Sequence, residues 1–278
     1  MSSQPILVTG ATGKTGSRIV SKLRSRGYTV RPGSRSSIIP FDWDAPETWA
    51  DALSGVAAVY VCFQPDFAFP GALETLAAFA QAACEAGIAR AVMLTGRGEP
   101  HALRGEAILR EAGFATTILR SAWFAQNFSE GSLRDAVLDG VLALPGGDIR
   151  EPIIDLDDLA DVAVASLTEP GHEGQVYELT GPRLLSFAEA AEILSQASGR
   201  RVTHLPVSFD DFHAHLAKSA GEPFARTVTD IARETFDGRN AHVTGGVERA
   251  LGRSPRDFAD FAARAAKDGA WAALPACP

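Results

Sequence analysis

The segment AVMLTGRGEPHALRGEA, residues 91–107, places Thr95, Arg97 and His101 in close succession. They supply a hydroxyl, a permanent cation and an imidazole that titrates near neutral pH. A second cluster follows in WFAQNF, residues 123–128, where Asn127 stands between Phe124 and Phe128 with Trp123 nearby. An amide in that setting can orient a carbonyl oxygen, and the flat side chains can stack on an aromatic molecule. Both clusters also have plain structural readings: a β-branched strand end for Thr95, a surface histidine for His101, aromatic packing for Trp123 and Phe124.

A third set carries more specific chemistry. ILVTGATGKTGSRIV, residues 6–20, spaces Gly10, Gly13 and Gly16 as GxxGxxG directly after an apolar run and at the head of a helical pattern. Glycines there permit a tight turn and close backbone approach, while a helix N-terminus offers N–H groups and a positive dipole end to a pyrophosphate. Thr9, Thr12, Lys14 and Thr15 share that loop and are candidates for the same ligand. A site for NAD would carry an acidic residue about 20 residues on, for the ribose 2′-hydroxyl. The segment VRPGSRSS, residues 30–37, has Ser34, Arg35 and Ser36 instead, with no carboxylate before Asp42. Arginine and serine suit a 2′-phosphate, so NADPH is the expected cofactor, with Arg35 the leading contact and Arg31 facing away. Asp42 is placed either to meet the adenine amino group or to cap the helix that starts near Pro46. VCFQP, residues 61–65, should bring Phe63 and Gln64 over the pyrophosphate and nicotinamide ribose, and Thr95 is a further cofactor candidate.

The elements that must position these groups alternate. Strands are expected at 6–9, 28–31, 38–41, 58–62, 91–95 and 115–120, and helices at 14–25, 48–52, 72–86 and 105–112. Such alternation implies right-handed crossovers and a doubly wound α/β fold with a parallel sheet. Residues 1–150 form the expected dinucleotide-binding domain, with 151–182 adding strand and helix. Residues 183–278 read as a smaller, mainly helical substrate lobe, with helices in FAEAAEILSQASG, SFDDFHAHLAKSAG and PRDFADFAARAAKDG. Asp155, Asp157, Asp158 and Asp161 favour the positive start of the helix they precede and enter, more than an acid pair.

Composition removes other classes. The formal charge is −8 and no basic stripe is present, so nucleic acid would meet net repulsion. No apolar run is long enough to span a membrane and the N-terminus lacks a leader pattern, so no membrane role and a cytoplasmic location are expected. Cys62, Cys84 and Cys277 form no CxxC pair and read as two core thiols and a tail thiol; the histidines lack ligand spacing, so no metal is expected.

TGATGKTG, the LTG at 94–96, ILRSAWFAQNF at 118–128 and IIDLDDLADVAVASL at 153–167 together resemble the NmrA-like group of atypical short-chain dehydrogenases/reductases. FDWDAPETW, WFAQNFSEG, ELTGPRLLSFAEAAEILS and GVERALGRSPRDFADFA are similar to the ergot-alkaloid reductase branch and its bacterial relatives. The resemblance spans nearly the whole chain. It implies a monomeric or weakly dimeric NADP(H)-dependent reductase, with quinones, iminium ions or conjugated carbonyls of natural-product pathways as acceptors, or a non-catalytic dinucleotide sensor. The chain departs from the group's pattern at Arg120-Ser121, where Arg-Pro is common, and at Arg104, where lysine is common.

Conventional short-chain reductases use a Tyr-xxx-Lys pair to protonate a reduced carbonyl oxygen. The three tyrosines here, Tyr28, Tyr60 and Tyr177, are followed four positions later by Pro32, Gln64 and Gly181. Hydride transfer without that acid suits an acceptor that is already cationic or that spreads negative charge over a large π-system. The sequence therefore points to a flat conjugated acceptor, a quinone first, with Thr95, His101 and Asn127 as the candidate catalytic groups. Arg97, Trp123, Phe124, Asn127 and Phe128 are the candidate substrate contacts.

Overall fold

A computed structural model describes residues 4–272. In chain order the first elements are β1 (Ile6–Thr9), α1 (Lys14–Ser25), β2 (Val30–Gly33), α2 (Trp49–Leu53), β3 (Ala58–Val61), α3 (Ala72–Glu85), β4 (Arg90–Gly96), α4 (Pro100–Glu111) and β5 (Ala115–Ser121). There follow α5 (Ser132–Asp139), β6 (Val141–Leu144), β7 (Arg150–Glu151), α6 (Leu156–Thr168), β8 (Val176–Leu179), β9 (Leu185–Ser186), α7 (Phe187–Ser198) and β10 (Thr203–Pro206). The chain ends in α8 (Phe209–Ala220), α9 (Glu222–Thr235), α10 (Gly246–Leu251) and α11 (Phe258–Lys267).

Among the described residues these elements divide into two compact units that interleave along the chain: residues 4–121, 156–179 and 245–253 in the first, and 122–155, 180–244 and 254–272 in the second. The segment 122–155 thus lies with the second unit, and α10 returns to the first.

The first unit holds a parallel sheet in the order β2-β1-β3-β4-β5-β8. Successive strands leave β1 in opposite directions, which opens a crevice at the carboxyl ends of β1 and β3. The strand expected at 38–41 does not form. Ser34 O accepts N–H groups from both Ser37 and Phe41, which curls the chain, and Ile38 is left fully exposed. A short apolar run containing Pro40 was ambiguous evidence for a strand. The helix expected from 105 begins instead at Pro100, whose missing N–H suits a first helical position. His101 and Arg104 are therefore helical rather than in a loop.

One sheet face, through Leu7, Val59, Val61, Ala91, Met93 and Ile118, packs on Leu76, Phe79 and Ala80 of α3, Leu109 of α4, and Phe41, Trp43 and Trp49. Phe79 is the hub: its ring lies 5.6 Å from Phe41, 4.9 Å from Trp43 and 5.6 Å from Trp49, all edge-on. The other side of the unit joins α1 to α6 through charge. Lys22 Nζ lies 2.8 Å from Asp161, and Arg253 holds Asp158 and Asp161 at 2.7 Å each. Asp157 and Asp158 do occupy the first turn of α6, but the wholly buried Asp158 and its neighbour Asp161 are ion-paired partners rather than simple caps. Cys84, expected in the core, is exposed, and Cys277 lies outside the described residues.

The second unit carries a parallel pair, β6 with β10, and an antiparallel pair, β7 with β9. Its core gathers Phe128, Phe187, Phe258, Phe261 and Trp271. α7 starts at a reciprocal cap in which Ser186 and Glu189 satisfy each other's backbone N–H. No helix among the described residues is long and apolar enough to cross a membrane.

Replacing Phe79 by Ala removes a fully buried ring that organises three others. The expected cost is about 3–5 kcal/mol, read as a fall in the urea midpoint of unfolding, with Phe79→Leu losing well under half of that.

Candidate functional site

The glycine loop joins β1 to α1 by contacts that only glycine permits. Gly10 has φ +63°, and a Cβ on Gly16 would lie 2.2 Å from Gly10 O. Gly13 N–H closes the turn by donating to Gly10 O at 2.9 Å. Gly13 offers α1 no capping side chain, and the first turn of that helix has no acidic residue. The helix start is therefore positive and backbone-lined, which fits a pyrophosphate.

Beside the loop lies a cavity of about 300 Å³ lined by Gly10, Thr12, Gly33, Ser34, Arg35, Phe41, Asp42, Trp43, Asp44, Gln64 and Pro65. The structure thus brings Gly10, Thr12, Ser34, Arg35, Asp42 and Gln64 together around one cavity. Ser34 Oγ is 2.8 Å from Ser37 Oγ and 3.3 Å from Ser36 Oγ, a hydroxyl cluster next to the exposed Arg35 guanidinium. Arg31 turns away: its Nη1 donates to Ala52 O at 2.9 Å and Ser54 O at 2.6 Å, closing the end of α2. Asp42 lines the cavity and its Oδ1 accepts the Asp44 N–H at 3.2 Å; it does not cap the turn at Pro46–Thr48, whose start carries no side-chain cap bond.

Other candidates serve the frame. Thr9 is wholly buried; its hydroxyl donates to Tyr60 O at 3.0 Å and accepts the Cys62 N–H at 2.8 Å, tying β1 to β3. Its side chain is thereby spent inside the fold, and so is that of the buried Thr15, whose Oγ1 lies 3.9 Å from Cys62 Sγ. Lys14 and Gly16 sit in the first turn of α1. Phe63 does not line the cavity; it stacks on Phe67 at 5.2 Å and leans on Trp43 at 4.8 Å. Of the lining residues that sequence reasoning missed, Gly33, Phe41, Asp44 and Trp43, the most firmly built in is Trp43. Its Nε1 donates to Cys62 O at 3.2 Å, so it anchors the chain leaving β3 and forms cavity wall at once. The quoted FDWD segment held the only signal, an aromatic residue between two acids.

At the carboxyl ends of β4, β5 and β8 lies a chain of charges. The Thr95 hydroxyl donates to Glu106 Oε1 at 3.1 Å, and Arg120 grips both Glu106 oxygens at 2.7 Å. Arg120 also approaches Glu178 at 3.6 Å, and Glu178 accepts from Arg97 Nε at 3.2 Å. Glu106 is 1% exposed, Thr95 3% and Arg97 4%. Glu106 holds the Arg120 guanidinium above its ordinary pKa. Thr95 and Arg97 are thus members of an internal network. His101 stands half-buried in the first turn of α4. Burial raises the Asp66 carboxyl, against N–H groups of Ala68 and Phe67 and the charge of His101.

The aromatic candidates belong to the second unit. Phe128 is wholly buried, edge-on to Phe258 at 5.5 Å, with its carbonyl taken by Trp271 Nε1; it is core and not a ligand contact. Trp123 lies flat on Phe236 at 4.9 Å and edge-on to Phe187 at 5.0 Å, so its ring is engaged in packing too. Phe124 bridges to Ile154, and Asn127 remains half-buried in the short 3-10 turn Ala125–Phe128. Among the described residues no cluster suited to a metal ion occurs.

The NAD(P)H-binding family model matches residues 10–170. The chain is 31% identical to the NAD(P)H azoreductase of Xenophilus azovorans, over 95% of this chain and 99% of that one. It is 29% identical to the festuclavine dehydrogenase of Aspergillus fumigatus, over 92% and 96%. The crystal structure of the Citrobacter sp. triphenylmethane reductase complexed with NADP(H) superposes with a TM-score of 0.73 at 25% identity, covering 94% of this chain and 99% of that one.

Cys62 gives a test of the packing under the loop. Burial pushes its thiol up from 9.0 to about 11, opposed by the Thr15 hydroxyl. The unfolded chain therefore ionises first, so the stability due to the neutral thiol is whole below about pH 9 and lost as pH rises towards 11. Across that window the urea midpoint of the natural protein should fall more steeply than that of Cys62→Ala; parallel profiles would contradict the assignment.

Proposed function

The chain belongs to the NAD(P)H-binding family, within its NmrA-like atypical short-chain dehydrogenases/reductases, and we propose that its reductase activity passes hydride from NADPH to a flat conjugated acceptor, a quinone. The observation that carries the acceptor class is the commitment of the Thr95 hydroxyl to Glu106 in a chain without a Tyr-xxx-Lys pair. The hydroxyl at the end of β4 gives its one proton to a carboxylate and is not aimed at a substrate. A quinone needs little from it, because its reduced oxygens are weakly basic and take protons from water. Acceleration then comes from holding nicotinamide against acceptor and from excluding competing reactions. The likeness to an azoreductase and to a triphenylmethane reductase supports a flat aromatic molecule. The likeness to festuclavine dehydrogenase supports a second reading, a cationic or conjugated intermediate of natural-product biosynthesis.

Where NADPH binds, it supplies the hydride. The chain's own part follows from the cavity. The backbone of Gly10 to Gly16 would receive the pyrophosphate, Ser34 and Arg35 would face the 2′-phosphate, and Asp42 and Trp43 would bound the adenosine end.

NADPH oxidation followed by absorbance should be driven by simple benzoquinones and naphthoquinones more than by cyclic iminium ions. Silence with both panels, despite measurable NADPH binding, would overturn the reductase reading in favour of a dinucleotide sensor. Separately, Arg35→Ala should weaken NADPH binding about tenfold and leave NADH binding nearly unchanged, since one charge-assisted contact to a phosphate is removed. Equal binding of both by the variant and the natural protein would make Arg35 a loop residue only.

A further inference from the structure

We propose that Glu106 is a positioning residue: by holding the hydroxyl proton of Thr95, it leaves the Thr95 oxygen as a hydrogen-bond acceptor for the carboxamide N–H of nicotinamide. The inference rests on the NADPH reading and assigns a role inside that site to a residue of α4 that no motif marks.

The geometry fixes the direction of the bond. Both Glu106 oxygens accept from Arg120, Nε to Oε1 and Nη2 to Oε2, each at 2.7 Å, and Arg110 lies 3.4 Å from Oε2. A carboxyl gripped on both oxygens by a guanidinium is ionised and can only accept. Thr95 Oγ1, 3.1 Å from Oε1, must therefore be the donor, and its single proton is spent. What remains on that oxygen is lone pairs. They can serve an N–H group and cannot protonate an acceptor, which separates Thr95 from a catalytic acid.

The placement is appropriate. Thr95 is the second-last residue of β4, in register with Arg120 on β5, and β4 neighbours β3, whose exit at Gln64 and Pro65 walls the dinucleotide cavity. In open α/β sheets, ligands lie across such carboxyl ends. The network is braced from behind, since Arg120 meets Glu178 and Glu178 meets the buried Arg97. Rotation of the Thr95 hydroxyl away from Glu106 would leave a buried carboxylate short of a donor, so the polarity is strongly held.

The test compares two ligands by calorimetry: NADPH, and 2′-phospho-ADP-ribose, which has the same phosphates and adenosine without the nicotinamide. Thr95→Val should weaken NADPH about fivefold, the worth of one net hydrogen bond, and leave 2′-phospho-ADP-ribose unchanged. Thr95→Ser should restore the natural ratio of the two affinities. Glu106→Gln should lower that ratio like Thr95→Val and add nothing when combined with it. Should the amide variant not fold, Glu106→Asp, which keeps charge for Arg120 and draws the oxygen away from Thr95, is read in its place. A ratio unmoved in Thr95→Val, or unmoved in a folded Glu106 variant, overturns the proposal. Failure of the natural protein to bind either ligand would instead overturn the cofactor reading on which it rests.

Discussion

Everything at the dinucleotide end of the first unit depends on the approach of α1 to the Gly10 carbonyl. With a Cβ on Gly16 only 2.2 Å from that oxygen, any side chain would push the helix off the strand and lift its N-terminus from the crevice. The close approach has a consequence one strand further on. Gly10 also lies against Cys62, whose Cβ would be 3.6 Å from a Cβ built on Gly10. The Cys62 peptide is then clamped from both sides: its N–H donates to Thr9 Oγ1 and its carbonyl accepts from Trp43 Nε1. That clamp decides where Gln64 and Pro65 emerge, and so the shape of the cavity wall. Thr9 and Trp43 thus act on the ligand site through the backbone they hold.

A second constraint governs the other end of the sheet. Charges taken out of water must be matched, because the loss of hydration exceeds what an imperfect pair returns. At the ends of β4, β5 and β8 the match is made by alternation: Thr95, Glu106, Arg120, Glu178 and Arg97 form a line in which each donor meets an acceptor. Such a line orients its members and removes protons from circulation. It is a poor source of general acid and a good scaffold for fixed hydrogen-bond polarity.

Much of this was legible in the sequence, for identifiable reasons. β1, α1, β3, β4 and β5 announce themselves by continuous apolar runs alternating with helical periodicity, and the glycine spacing placed the loop without further information. The segment 38–41 misled because a short apolar stretch does not distinguish a strand from a turn, and only the Ser34 carbonyl taking two N–H groups resolves it. The start of α4 was hidden in GRGEPH, whose glycines and proline read as loop although proline at a first helical position is ordinary. At the site, the glycine spacing was visible in the sequence, whereas Trp43 and Glu106, whose places depend on partners distant along the chain, were not. Glu106 is one acidic residue among many until its partners at 95 and 120 are brought to it by two strands and a helix.

The aromatic segment 123–128 shows the same limit from the opposite side. Composition marks Trp123, Phe124 and Phe128 as equally suited to a flat ligand, but a helical turn points successive residues in different directions, and only the packing says which ones are used up. Phe128 is consumed by the core, and Trp123 gives one face to Phe236 and its edge to Phe187. Asn127 and Phe124 are left half-buried on the same short turn. With Phe128 locked in the core and the Asn127 N–H donating to Phe124 O at 3.1 Å, the backbone of that turn is fixed before any ligand arrives.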